Sequence, residues 1–565
     1  MRRLKSFIKN TNNTAFLKGL LYLCILIFLI AIPLLMMFVR SFQNNNGVFT
    51  FDNWASIGSS KSLEAIKNSL YLGFLVVCFS LLLALPSAFI LAKTSLRKFW
   101  WIDILLMMVF MIPPYINSQG WISFMQEGGV LYTILSGNKF FYSLSENFFT
   151  IYGMAIVMSF HSYPFLLTIV KNAILSIPKE IDDSLAIYCR NPLKKLFQVY
   201  FPILLPNIFI GMFLIFVKAL AEYGTPATFQ TMTNIYVFTT LITNYMSVYP
   251  INFGAASSMA YILIFICMTL WMLQSVVSNK FSYKLSGHKS SVSKSKPVAL
   301  IISIIFLVVL FFISTIIPLG TIILYSLMKT LSGGYHLSNL GFDNYILAFS
   351  DKSGFGTGLT ALLHTVKIAL LSSIFTLVLG YIFEIYSYRN KKKILGRSVE
   401  NISLLPEMLP NIVLGIGLIM LYASINSPIY KTEWMLILAY TIVFLPNTIS
   451  YIKGSFSNMS KSILDAGSVF SKNKIMVDIK ILIPLTLKNA FYAFMLNFIT
   501  ITRELVVAKL MQPPSYYTLS TYINFQFEQG NTQAAMALSV VSIGLIFLVM
   551  LPLEGFIMHE KKKGV

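Results

Sequence analysis

The sequence predicts an all-α polytopic membrane protein of about 12 transmembrane helices, arranged as two parallel six-helix repeats. Three observations carry this. Of 565 residues, 56% are hydrophobic and only 11% are charged, whereas a soluble globule carries about a quarter charged residues. Apolar runs of roughly 20 residues, enough to cross a bilayer, recur along the whole chain. One polar, basic segment occurs twice, with an Asp preceding a Pro by the same interval, Asp183 to Pro202 and Asp465 to Pro484.

The first apolar run, Leu17 to Val39, follows the basic start Met1 to Lys9. It is too long for the apolar region of a secretory signal, and no small-x-small cleavage site closes it, so a retained span is expected. Further spans are expected near 66–93, 101–120, 149–172, 203–222 and 252–276. A Ser-rich basic stretch at 277–297 reads as a flexible linker. A second set follows near 298–325, 361–387, 399–423, 434–453, 483–502 and 534–556. The first repeat is thus 1–276, with its polar loop at about 173–202, and the second is 298–565, with its loop at about 455–484. Phe51-Asp-Asn-Trp54 matches Phe342-Asp-Asn-Tyr345, Tyr163-Pro164 matches Leu445-Pro446, and Glu222 matches Glu504. An even number of spans per repeat makes the two copies point the same way, so a path at the interface between halves is expected. Pro86, Pro113, Pro114, Pro164, Pro406, Pro410 and Pro446 fall in or beside spans and favour kinks.

Net charge is +22. In a soluble chain that would suggest nucleic acid as a partner. Here the basic residues lie in short loops between apolar runs, which points to the lipid bilayer and to topology-setting charge, not to nucleic acid. Lys and Arg concentrate in both termini, the linker and the loops on that side, for example Arg97, Lys98 and Lys391 to Lys393. Both termini and both repeated loops are therefore expected in the cytosol. Cys24, Cys78, Cys189 and Cys267 form no CxxC pair, and His161 and His364 stand alone, so no metal site is expected.

The repeated loop is too polar to enter the bilayer. Ile181 to Val199 reads as short helices broken at Asn191-Pro192, with Leu185, Ile187 and Leu196 interleaved among charges. Such a helix either lies on the membrane surface or forms a knob for another protein's groove. The pattern resembles the cytosolic loop of ATP-binding-cassette (ABC) importer permeases, which runs Glu-Ala-Ala, three residues, Gly, then about a dozen residues to Leu-Pro. The first copy here reads Asp183-Ser184-Leu185, Cys189 and Phe201-Pro202; the second reads Asp465-Ala466-Gly467, Ser471 and Ile483-Pro484. Asp stands for the family's Glu, and Cys189 and Ser471 stand for its Gly. Phe216 to Pro226 and Thr502 to Pro513 further resemble the fused, two-half permeases of ferric-ion importers.

The resemblance implies the type I ABC importer permease fold and a bacterial cytoplasmic-membrane location. It implies loops that dock on ABC ATPase subunits, two copies per fused chain, and an extracytosolic substrate-binding protein that settles on loops near 40–65, 224–250, 326–360 and 505–533. Ferric iron is the implied cargo, with thiamine, phosphonate and polyamine as alternatives. No GxxxxGK[ST] loop occurs in the chain, so ATP would be used by partner subunits. No catalytic residues and no bound cofactor are expected of this chain. Leu331-Ser-Gly-Gly-Tyr335 imitates the ABC ATPase signature but falls in an expected extracytosolic loop. An ion-gradient-driven transporter with six-plus-six repeats is the rival class.

Ionisable residues at span ends are costly to bury and often functional. Lys218 and Glu222 lie one helical turn apart and are expected to pair. Arg503 and Glu504 end the matching span. With Tyr223 and Gly224 they read as a translocation gate or, alternatively, as local charge satisfaction.

Overall fold

A computed structural model describes residues 2–44, 46–134, 139–188, 191–280, 297–350, 357–457, 459 and 474–563. Among these, ten helices are long and apolar enough to cross a membrane, and two bent helix pairs bring the number to twelve. The first repeat contributes Thr14–Ser41, Ser60–Lys93, Ile151–Leu175, Leu196–Ala221 and Phe253–Ser278. The second contributes Pro297–Leu327, Gly358–Arg389, Glu433–Ser457, Asp478–Thr502 and Thr532–Met550.

The third span of each repeat, expected at 101–120 and 399–423 with kinks at its prolines, is broken into two helices. Trp100–Met111 and Pro114–Thr133 meet at 87°, and Ile394–Met408 and Asn411–Ser424 meet at 112°. The cause is local. Proline disfavours helical geometry in the residue before it. Ile112 and Pro113 have ψ of 129° and 136°, and Leu409 and Pro410 have ψ of 140° and 138°, so both chains leave the helix at matching prolines. Such breaks in a span are tolerated where protein covers the freed backbone. The helices after the breaks are largely buried.

The chain folds as two compact units. One comprises 1–50, 346–531 and 544–565, and the other comprises 51–345 and 532–543. This partition differs from the division of the sequence into 1–276 and 298–565, because each repeat's first span is packed within the other repeat's unit. In one unit Ile32–Ser41 lies on Asn411–Ser424; in the other Ile317–Leu327 lies on Pro114–Met125. Sequence similarity records duplication, whereas burial joins whichever apolar faces fit. A glycine admits each crossing. A Cβ on Gly120 would stand 2.7 Å from the Pro318 carbonyl oxygen, and one on Gly417 would stand 3.0 Å from that of Pro33.

Four spans contain a five-residue π-turn: Ile27–Ala31, Leu196–Tyr200, Phe312–Ile316 and Asp478–Leu482. Each is followed by an α-helix with proline at its second position, namely Pro33, Pro202, Pro318 and Pro484. In each case the N–H just before the proline donates to the carbonyl five residues back, as Phe201 does to Leu196. Proline lacks a donor and its ring clashes with the carbonyl four residues back. Widening the turn relieves that clash. Pro86, Pro164 and Pro206 lie within unbroken α-helix, so proline alone does not set a π-turn.

Candidate functional site

The first repeated loop contains the helix Lys179–Tyr188. Asp183 and Ser184 are exposed on it, Leu185 is buried, and Ile187 is 75% exposed. The Ser184 hydroxyl donates to the Glu180 carbonyl at 2.8 Å, whereas the carboxylate of Asp183 stands exposed beside it. Pro192–Lys195 and the π-turn Leu196–Tyr200 then lead into the fifth span at Pro202. Cys189 lies outside the described residues, as do Asp465, Ala466 and Ser471 of the second loop. The second loop rejoins the described chain at Lys474–Val477, passes the π-turn Asp478–Leu482, and enters its fifth span at Pro484. Pro202 and Pro484 thus occupy one structural position.

Sequence reasoning missed the ties at the stems of these loops. Near the end of the fourth span, Lys171 Nζ lies 2.5 Å from Asp103 on the first limb of the broken third span. In the second repeat Lys453 Nζ lies 2.6 Å from Glu400. The positions correspond: adding 282 takes Pro164 to Pro446 and Lys171 to Lys453, and adding 297 takes Pro113 to Pro410 and Asp103 to Glu400. The other stem is tied as well. Lys93, in the last turn of the second span, sets its ammonium 5.1 Å from the Tyr200 ring centre. Its counterpart Arg389 pairs with Asp478, with Nε at 3.1 Å from Oδ1. These partners are far apart in sequence, 68 residues for Asp103 and Lys171, so only the matching register across repeats could have revealed them.

Glu222 and Glu504 adopt one arrangement. Glu222 ends the helix Phe201–Ala221 with ψ of 134°, and its Oε1 accepts from the Thr225 N–H at 3.0 Å in the first turn of Gly224–Thr233. Its backbone carbonyl accepts from the Thr239 hydroxyl at 2.8 Å. Glu504 follows the helix Ile483–Thr502 and accepts from the N–H groups of Val506 and Val507 at 2.9 and 3.1 Å, at the start of Val506–Met511. Its carbonyl accepts from the Ser520 hydroxyl at 2.7 Å. Carboxylates suit these places because the first amides of a helix lack partners and carry partial positive charge. Each acid therefore locks a tight turn between a span and a short returning helix.

The pairing expected between Lys218 and Glu222 is replaced. Glu222 has left helical geometry, so one-turn spacing no longer brings the two together. Lys218 Nζ instead lies 3.9 Å from the Phe165 ring centre. Tyr223 is buried at the start of Gly224–Thr233, and a Cβ on Gly224 would stand 3.0 Å from Tyr115 Cβ, so the turn sits tight on the helix after the first break. Arg503 caps the helix Ile483–Thr502. Among the described residues, no three His, Cys, Asp or Glu side chains converge to hold a metal ion.

Residues 376–553 match the family described as binding-protein-dependent transport system inner membrane component. Residues 376–553 thus resemble the membrane component of a binding-protein-dependent importer. The match begins within the second span of the second repeat and includes Glu400, Lys453, Pro484 and Glu504. A putative ferric transport system permease protein of Haemophilus influenzae is 23% identical over 74% of this chain and 66% of its own length, so this chain spans just under two thirds of that relative. A ferric transport system permease protein of Actinobacillus pleuropneumoniae is 20% identical over 96% of this chain and 79% of its own. A sulfate transport system permease protein of Salmonella typhimurium is 23% identical over 42% of this chain and 83% of its own. The chain thus resembles, over nearly its full length, a protein named for ferric transport.

Proposed function

We propose that this chain is a two-repeat permease of an ATP-driven importer, with ferric ion as cargo. The observation that carries the reading is the exposed Asp183 helix, whose sequence recurs around Asp465 and which enters the fifth span through a π-turn found in both repeats. The basic side is the cytosol, and two ATPase copies grip the two loops there. A loaded binding protein delivers cargo on the opposite side. ATP binding and hydrolysis displace the loops. The fifth span links each loop to its gate acid, so displacement of Pro202 and Pro484 reaches Glu222 and Glu504 along a continuous helix. Each ATPase state is favoured by the permease conformation that holds it better, which is what couples the two. Cargo selection rests with the binding protein, and the names of these relatives support ferric ion.

Host cells carrying Asp183→Lys with Asp465→Lys should lose uptake of radiolabelled ferric ion, and cargo-stimulated ATP hydrolysis by the purified complex should fall with it, while the permease still accumulates. Unchanged stimulation would remove the loops from the mechanism. Uptake that survives ATP depletion would replace this reading with the gradient-driven one. Labelled sulfate taken up in place of ferric ion would reassign the cargo alone.

A further inference from the structure

We infer that Asp103–Lys171 and Glu400–Lys453 are positioning struts that carry movement of each loop into the hinge of the broken third span. The inference rests on the coupling role of the loops given above and extends it to a second route through the permease. Both pairs join the same two places. Lys171 and Lys453 lie near the end of the fourth span, where the chain runs into the loop. Asp103 and Glu400 lie on the limb of the third span that precedes the break at Pro113 and Pro410. The limb after each break supports the gate, because Pro114–Met125 packs against Gly224–Thr233 and Asn411–Ser424 packs against Val506–Met511.

The pairs have the chemistry a strut needs. Their side chains are mostly shielded, at 17% and 28% exposure for Lys171 and Asp103 and 42% and 16% for Lys453 and Glu400. Shielded charges at contact distance attract more strongly and are screened less by salt than exposed ones. Removing one partner strands the other charge. A limb ended by a proline break is free to pivot there, so a tie ten residues before the break transmits displacement that an unbroken helix would resist. The sequence reinforces the point: two unlike acids, Asp103 and Glu400, keep one register relative to the proline. In the second repeat Glu384 faces the same centre and interacts electrostatically with both Glu400 and Lys453. Its Oε2 is buried without a hydrogen-bond partner. Lys453 therefore acts on two acids, and its loss leaves Lys391 as the cation that still offsets their repulsion at Glu384.

The test uses the full complex purified from host membranes and compares ferric ion taken up with ATP hydrolysed. Lys171→Asp and Lys453→Asp should each lower uptake per ATP at least tenfold while ATPase subunits still co-purify. Lys453→Asp should be the more severe, with partial recovery when Glu384→Gln is added. The exchanges Asp103→Lys with Lys171→Asp and Glu400→Lys with Lys453→Asp should restore the ratio to within about threefold. Asp103→Asn, which keeps shape and polarity, serves where a reversed charge prevents accumulation, and it too should lower the ratio. An unchanged ratio in these single variants, or exchanges that accumulate without recovering, would overturn the struts. Wild-type permease that brings no ATPase out of the membrane would instead defeat the coupling reading itself, and the struts with it.

Discussion

Tyr440 donates its hydroxyl hydrogen to Glu504 Oε2 at 3.0 Å, and the residue in the matching place of the first repeat is Met158. Both acids cap a returning helix, yet they are satisfied unequally. Both oxygens of Glu504 accept hydrogen bonds, Oε2 from Val507 as well as Tyr440. Glu222 Oε2 is buried with no hydrogen-bond partner. The two capped turns are therefore related in backbone and unlike in strength.

Replacing each acid by its amide should expose the difference. In Glu504→Gln the amide nitrogen must face a donor whichever way it turns, at a cost of about 2 kcal/mol. In Glu222→Gln the nitrogen can take the place of Oε2, where no donor opposes it, and the carbonyl keeps the Thr225 bond. The apparent melting temperature of the detergent-purified permease should fall clearly for Glu504→Gln and little for Glu222→Gln. Equal losses would mean that the Tyr440 contact adds nothing to the second turn.

The crossing of first spans over the broken third spans gives a second expectation. Gly120→Ala places a methyl group 2.7 Å from the Pro318 carbonyl oxygen, a backbone atom that cannot swing away. Gly417→Ala meets the Pro33 backbone at 3.0 Å, a milder intrusion. Overpacking of this kind costs about 1–3 kcal/mol. Gly544 has nothing within 4 Å of its Cβ direction and serves as the control. Accumulation and melting temperature should rank Gly544→Ala above Gly417→Ala, and Gly417→Ala above Gly120→Ala.

The twelve spans were legible because a bilayer imposes one length and one polarity on every crossing segment. The breaks in the third spans were legible only as kinks. Pro113 and Pro410 mark the position, but the angles of 87° and 112° depend on what the following limb packs against. Exchange of the first spans left no trace in the sequence, since apolar faces carry no address and only Gly120 and Gly417 hint at close approach. The acids at 222 and 504 were visible as a repeated pair, whereas their capping role needed the backbone turn at Glu222 and beyond. Asp103–Lys171 escaped notice because contact across two helices has no fixed spacing, unlike the one-turn rule that drew attention to Lys218.

The final expectation concerns the prolines that close the repeated loops. A π-turn holds one residue more than the α-turn it replaces, and one residue is about 100° of helix rotation. Pro202→Ala restores the missing donor and removes the ring clash, so Leu196–Tyr200 can relax to α-helical geometry. That change favours the helix itself, and the variant should accumulate as well as the wild-type permease. It would also rotate everything on the loop side of the turn, including Asp183, relative to the fifth span, and shift Tyr200 away from Lys93. Pro484→Ala should act likewise on Asp478 and its partner Arg389. Uptake of ferric ion should fall at least tenfold in either variant, with protein level and melting temperature preserved. A loss of uptake that merely tracks a loss of protein would mean that these prolines serve folding, whereas normal uptake in both would mean that the π-turns have no part in setting the angle of the loops.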